Sequence, residues 1–495
     1  MFRYLLLPWL AVLHLSATAA EIPGHPDKLT YPPLTYEPPN PADYRVQLRA
    51  GPVAYVIEDR ELPLVNFVIY VRTGKYLEPT GKEGLAAMTG YLLARGGTAT
   101  KAAEELEERL AYLAANLNTG VGDTQGSLGL NLLSKDLDEG FSLAREVLTA
   151  PRFQDNKVAL YRQQTLQELQ QRNDDSADIE AREQSYLAFG TNFWSNRLPT
   201  GASINAITAD DLRAFHRRWF HPANFVVAVN GDFAKADMVA RLETFFSAWP
   251  FTGDPAQPVP TDATLAAPGL YLYDKDVNQG RVSLQLPGVL RDHPDFLAIR
   301  VMNDILGGGG FTSRIMNRVR SDEGLAYSAG SAFPGGVHFP LPFEASFQSK
   351  SRTVAYATSI VLEEMKRIAA EPVAAQELET SRRSFIDTFP RLFSTKTQVA
   401  TRFADDEFTG RFAKDPTFYK TYRDRVAAVT AADVQRVAQE HLDPSRVVIL
   451  VVGQKEEVLK GHPDHAVKLP DLAGGQITTL PTRDPLTLEP RPAAN

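Results

Sequence analysis

With nine histidines and no cysteine, this chain must build any zinc or proton-transfer site from histidine and carboxylate. The histidines lack the spacing. His216 and His221 are five residues apart and fall on different faces of a helix, and His462 and His465 lie in a C-terminal tail. They read as surface or packing residues. The run Gly307, Gly308, Gly309, Gly310 has neither the Lys-Ser/Thr ending of a phosphate loop nor the spacing of a dinucleotide fingerprint. It reads as a tight helix connection, or as a place where an extended peptide can approach the backbone, as in strand addition to a sheet edge. A net charge of −8 without long like-charged blocks leaves a nucleic acid nothing to hold.

The elements that must position such residues come in two copies. ITADDLRAFHRRWFHPANFVVAVNGDF at 207–233 is repeated as VTAADVQRVAQEHLDPSRVVILVVGQK at 429–455. One offset of 222 residues superposes Thr208 on Thr430, Asp211 on Asp433, Pro222 on Pro444 and Gly231 on Gly453 without a gap. Each copy has a Thr that caps a helix, an amphipathic helix, a Pro that stops it, and a strand of β-branched residues closed by Gly. A period this long is a domain, not a solenoid repeat.

Around that unit the first half reads as strands at 44–48, 53–58 and 64–72. Val65, Phe67, Ile69 and Val71 share one face of the third. Helices follow at 81–98, after Thr100 and at 136–148 and 155–173, with strand-forming sequence at 119–133. The second half repeats the plan. The expected fold is α+β, with two homologous domains, each a mainly antiparallel sheet with helices packed on one face, together forming a clam-like cavity. The expected boundaries are 44–250 and 269–460, with a Pro-rich linker at 251–268 and a loose tail at 461–495. Residues 1–20 carry one Arg, an apolar run and a small-residue ending, the pattern of a secretory signal peptide. Residues 21–43 form a Pro-rich arm. The expectation is an exported chain, periplasmic or secreted, with no membrane span.

GLAAMTGYLLARGGT at 84–98, LSKDLDEGFSLAREVLTAPRF at 133–153, LGGGGFTSRIMNRVRSDEGLAYS at 306–328 and both copies of the repeated unit resemble the pitrilysin/insulinase-type zinc metallopeptidases, the inverted zincins. The closer likeness is to the bacterial and mitochondrial-processing branch, and it covers nearly all of 44–455. Active members carry His-x-x-Glu-His on the first helix, where two His one turn apart hold zinc and the Glu activates its water. The resemblance places Ala87 and Tyr91 at the His positions and Gly90 at the Glu position. Ala and Gly offer no ligand or base, and a Tyr phenol, titrating near about 10, is a poor zinc ligand at neutral pH. Glu168 falls where the family's third ligand belongs, and alone it makes no site. No metal is expected in this chain.

The family's substrate-holding pair, an Arg and a Tyr seven residues later in the second domain, is present as Arg320 and Tyr327. The resemblance gives the glycine run a place beside the same peptide. It therefore implies a catalytically incompetent subunit that forms a heterodimer with a zinc-bearing homologue and offers Arg320 and Tyr327 to an extended peptide. Zinc is then expected in the partner. The other reading is a peptide-binding or scaffold protein with no role in hydrolysis.

Overall fold

A computed structural model describes residues 24–25, 28–30 and 36–491. The signal-peptide reading of 1–20 and most of the Pro-rich arm lie outside the described residues. The described residues of the compact unit Met1–Glu37 form no strand; the fold is that of the second unit, Pro38–Asn495. No helix among the described residues is long and apolar enough to cross a membrane.

The first half is built on six strands: β1 (Arg45–Gln47), β2 (Val53–Glu58), β3 (Leu64–Val71), β4 (Asn116–Val121), β5 (Gly126–Leu133) and β6 (Phe225–Gly231). Their order is β1-β2-β6-β3-β5-β4, and every pairing is antiparallel except β2 with β6. Period-2 alternation decides which face is wet. In β3, Val65, Phe67, Ile69 and Val71 are fully buried, as expected, and pack into one core with Met88 and Leu92 of the Leu85–Arg95 helix and with Phe141 and Phe245. β6 is buried along its whole length because both of its neighbours and both of its faces are covered.

The second half repeats the design with β7 (Gly269–Asp274), β8 (Gln279–Leu290), β9 (Ala326–Ala332), β10 (Gly335–Gly336), β11 (Leu341–Lys350), β12 (Val448–Gly453) and β13 (Ile477–Thr479). The order is β13-β7-β12-β8-β11-β9, with β10 added to β8. β6 and β12, the strands of the repeated unit, occupy the same place in the two sheets. Both preceding helices open with a capping box: Thr208 and Thr430 accept the amides of Asp211 and Asp433, whose carboxylates accept theirs in return. Such a cap contributes about 1 kcal/mol.

The remaining face of each sheet is covered by a helix from the other half. Lys396–Phe408, a helix of the second half, lies on β6, β2 and β3, and Ser176–Phe189, a helix of the first, lies on β12 and β8. Polar contacts fix both. Glu407 accepts from Arg45 Nη2 at 3.0 Å and from the Tyr55 hydroxyl at 2.9 Å, and Arg281 Nη1 lies 3.4 Å from Glu180.

Residues 251–267 have no helix or strand. The expected loose tail is corrected. Its Pro content suggested an unpacked end, but Leu469 is fully buried, Ile477–Thr479 pairs in parallel with β7, and the Leu486 carbonyl accepts the amide of Gly201 in the first half. The unpaired edge of β7 supplied a partner that the tail's own sequence did not advertise.

Candidate functional site

The Leu85–Arg95 helix stands between the first sheet and the Asp155–Gln171 helix. Gly84 enters it with φ +102°, and Glu78 closes its start, Oε1 accepting from Gly84 N at 3.1 Å and Ala86 N at 2.7 Å. Burial pushes the Glu78 carboxyl up to about 7, against these amides and against Lys75 and Arg197. A carboxyl raised above its unfolded value of about 4.5 favours the folded chain fully only below that value. Its contribution is lost as pH rises toward 7. Glu180, raised by burial to about 7, acts in the same direction. Burial lowers His216 to about 4, which acts in the opposite sense over the same range, so the expectation is for the difference between chains: Glu78→Gln should gain stability relative to its parent on going from pH 5 to pH 7.5, as read by thermal melts. A difference that stays the same at both pH values would remove Glu78 as a source of pH dependence.

Ala87 and Tyr91, one turn apart, share the exposed face of the helix. Tyr91 packs its ring 5.0 Å from that of Tyr161, and the Arg95 guanidinium lies 4.5 Å from the Tyr91 centroid. Glu168, exposed, lies seven residues beyond Tyr161 on the same helix. Burial raises the Tyr161 phenol, and the nearby charge of Glu168 adds to it. The structure thus gathers Tyr91 and Glu168 around Tyr161, in an aromatic cluster that offers no imidazole. Among the described residues no three His, Cys, Asp or Glu side chains come together as a metal site would require. The donor set does not fit zinc.

Gly90 faces inward, and its lack of a side chain has a cause. A Cβ there would lie 2.2 Å from Val121 N and 2.6 Å from Gly120 C, both backbone atoms of β4. Thr119 seals the contact: its hydroxyl donates to Gly90 O at 2.6 Å and accepts from Ala94 N at 3.1 Å, so a strand side chain sits on one rung of the helix ladder. What packs against this small residue is the edge strand. Beside it a cavity of about 560 Å³ opens, lined by Tyr91, Ala94, Leu110, Leu117, Leu160 and Tyr161.

The other expected residues lie at the edge of the second sheet. β9 is its last strand, and Tyr327 on it is 84 % exposed. Arg320, from the wide turn Asn317–Asp322, holds its guanidinium 4.6 Å from the Tyr327 centroid and 4.7 Å from that of Phe311. Phe311 is 66 % exposed and was missed from sequence; its only signal was a large aromatic directly after a glycine run. Of the glycines, Gly307 is where a close backbone approach happens, but the approaching chain is β9 itself: a Cβ would lie 2.4 Å from Ser331 N. Gly308 and Gly309 face Asn303 and Asp304, and Gly310, at φ +59°, turns into open space and delivers Phe311 to the surface.

His216, His221 and His465 are packing residues. His216 is buried with Nε2 2.9 Å from Leu148 O, and burial lowers its pKa to about 4. His221 Nε2 lies 3.1 Å from Arg218 O, and His465 stacks 3.5 Å from Tyr356. A cavity of about 950 Å³ near His221 and Trp249 shares no lining residue with the sites above.

Comparison with known proteins agrees with the fold. An uncharacterized zinc protease of Streptomyces coelicolor is 28% identical over 54% of this chain, which spans 60% of that protein's length. The non-peptidase homolog YmxG of Helicobacter pylori is 24% identical over 83% of this chain and 94% of its own. The crystal structure of a peptidase M16 inactive domain from Pseudomonas fluorescens superposes with a TM-score of 0.72 at 22% identity, over 83% of this chain and 97% of that one. The periplasmic protease PqqL of Escherichia coli gives 0.68 at 17%, over 82% of this chain and 45% of that one. The insulinase (peptidase family M16) model matches residues 54–189 and the peptidase M16 inactive-domain model residues 206–385. The chain belongs to the insulinase, or M16, family, as a peptidase-like member with no metal-binding group among its described residues.

Proposed function

We propose that this chain is the non-catalytic subunit of an exported zinc metallopeptidase complex. A zinc-bearing homologue supplies metal and general base, and this chain closes a peptide chamber and presents Arg320 and Tyr327. The asymmetry between the halves carries the reading: the first half keeps Ala87, Gly90 and Tyr91 where chemistry would be, while the second holds Arg320 and Tyr327 accessible at a free sheet edge. A chain with no use for substrate gains nothing from a half-buried Arg held between two exposed rings. PqqL, aligned over only 45% of its length, is about the size of two such two-domain chains, which supports a functional unit made of a pair. Export rests on the pattern of residues 1–20.

Within the pair, Tyr327 would aim its hydroxyl at the oxygen that becomes negative as the peptide bond is attacked. A fixed donor of this kind is worth about 3 to 4 kcal/mol in the transition state. Arg320→Ala or Tyr327→Phe is expected to lower turnover by the mixed complex about 10²-fold while leaving assembly intact, as read by peptide hydrolysis alongside size-exclusion chromatography. Unchanged kinetics in both variants would sink the assignment. The parent experiment compares this chain, the zinc-bearing homologue and their mixture. Activity that rises only in the mixture, with about one zinc per complex, supports the pair; a mixture no more active than the homologue alone refutes it.

One observation favours the second reading, peptide capture without hydrolysis. The free edge of β4 runs beside the cavity at Tyr91 and Leu117, whose wall mixes apolar side chains with Arg95, Glu107 and Lys157, an arrangement that suits strand addition with one large side chain inserted. Peptide binding by the lone chain, with no gain of activity in the mixture, would select it.

A further inference from the structure

We propose a second binding site, for a small tetrahedral oxyanion of the phosphate class, in the second half between the turn that follows β8 and the helices Arg411–Lys414 and Phe418–Ala427. It is independent of the peptidase reading. A cavity of about 220 Å³ lies there, lined by Arg291, Arg411, Lys414 and Arg425 against Asp292 and Asp415. It has room for one phosphate-sized ion and its remaining waters, a water taking about 30 Å³, but is smaller than pockets that take a nucleotide. Four cations meeting in so small a space is unusual for a chain of net charge −8.

Three of the four cations have carboxylate partners at 2.7 Å: Lys414 with Asp292, Arg425 with Asp415, and Arg411 with Asp406, which does not line the cavity. Arg291 differs. Its Nη2 donates to the carbonyl and the hydroxyl of Thr409, at 3.0 and 2.8 Å, but its Nε–H has no hydrogen-bond partner, and Asp292 Oδ1 stands off at 3.8 Å. The side chain is 8 % exposed. Buried charged donors almost always find an acceptor, and this one borders a cavity. Burial and then the neighbouring Arg411 lower the Arg291 pKa, and Asp292, Asp406 and Asp405 offset this only in part. An anion would relieve both the missing acceptor and the repulsion. Phe418 prepares the other wall, with the Arg411 and Arg425 guanidinium carbons 4.3 and 5.9 Å from its ring centroid, a contact that uses no N–H donor. Donors arriving from two walls suit an ion with several oxygens better than a planar carboxylate.

The test uses the full chain, titrated calorimetrically with inorganic phosphate and, in separate arms, sulfate and acetate at constant ionic strength. Saturable 1:1 phosphate binding is expected, sulfate competing for the same site and acetate not binding. Lys414→Ala/Arg425→Ala, at partly exposed positions whose loss leaves the fold intact, should weaken phosphate at least about ten-fold, with the phosphate-free melting midpoint nearly unmoved. No saturable binding, an unchanged affinity in the double variant, or acetate binding as well as phosphate would each overturn the proposal.

Discussion

Gly90→Ala is expected to destabilise the chain by about 2 kcal/mol and Gly90→Glu by about 3 kcal/mol or more, although helix propensity alone argues the other way. Replacing a mid-helix glycine by alanine normally contributes about 1 kcal/mol of stability. Here the added carbon would lie 2.2 Å from Val121 N and 2.6 Å from Gly120 C. These are backbone atoms of a strand already paired with β5 and held to the helix through Thr119, so nothing flexible can step aside. Overpacking of this kind costs about 1 to 3 kcal/mol and outweighs the propensity gain. Ala87→His and Tyr91→His, on the exposed face, lose little more than the ring contacts of Tyr91, about 0.5 to 1.5 kcal/mol. Rebuilding the full His-x-x-Glu-His motif therefore fails at its middle residue, and the rebuilt chain should hydrolyse no peptide. Urea titrations of the single variants decide the matter: a Gly90→Ala chain as stable as its parent would mean that β4 can withdraw and that the site has not been closed by packing.

That closure marks the limit of what the sequence could say. That Ala87, Gly90 and Tyr91 can offer no ligand or base was legible without any structure, because the residue types cannot do the chemistry. The β3 face, the capped helices at Thr208 and Thr430 and the two-fold plan were legible for a similar reason: alternation, capping and a constant offset are local signals. What brings distant residues together was not. Nothing about Lys396–Phe408 says that it covers the sheet of the other half, since an amphipathic helix does not name its partner. The Pro-rich tail looked loose because the edge it joins, β7, is some two hundred residues away in the chain. Phe311 was passed over because exposed aromatics are noticed by accessibility, not by pattern.

The exchange of helices between halves sets the second large effect, at Glu183. Ser176–Phe189 lies on the second sheet, and its Glu183, with 2 % side-chain exposure, accepts from Arg182 Nε at 3.0 Å and faces Arg483 Nε of the tail at 3.5 Å. Asn173 extends the network, accepting from Arg182 Nη1 and from Lys275 Nζ and donating to the Arg483 carbonyl, each at 2.8 Å. First half, second half and tail thus meet around one buried carboxylate. Glu183→Ala removes the only carboxylate among the described residues that Arg182 pairs with and leaves that guanidinium buried and uncompensated, so the loss exceeds the worth of the pair itself. About 3 to 5 kcal/mol is expected, against less than about 0.5 kcal/mol for Asp210→Ala in its exposed pair with Arg213. Urea unfolding followed by tryptophan fluorescence reads both. Because each half needs the other's helix to cover its sheet, the parent should unfold in a single transition. A Glu183→Ala chain that loses less than about 1 kcal/mol would show that apolar packing of the exchanged helices, and not this charge cluster, holds the halves and the tail together.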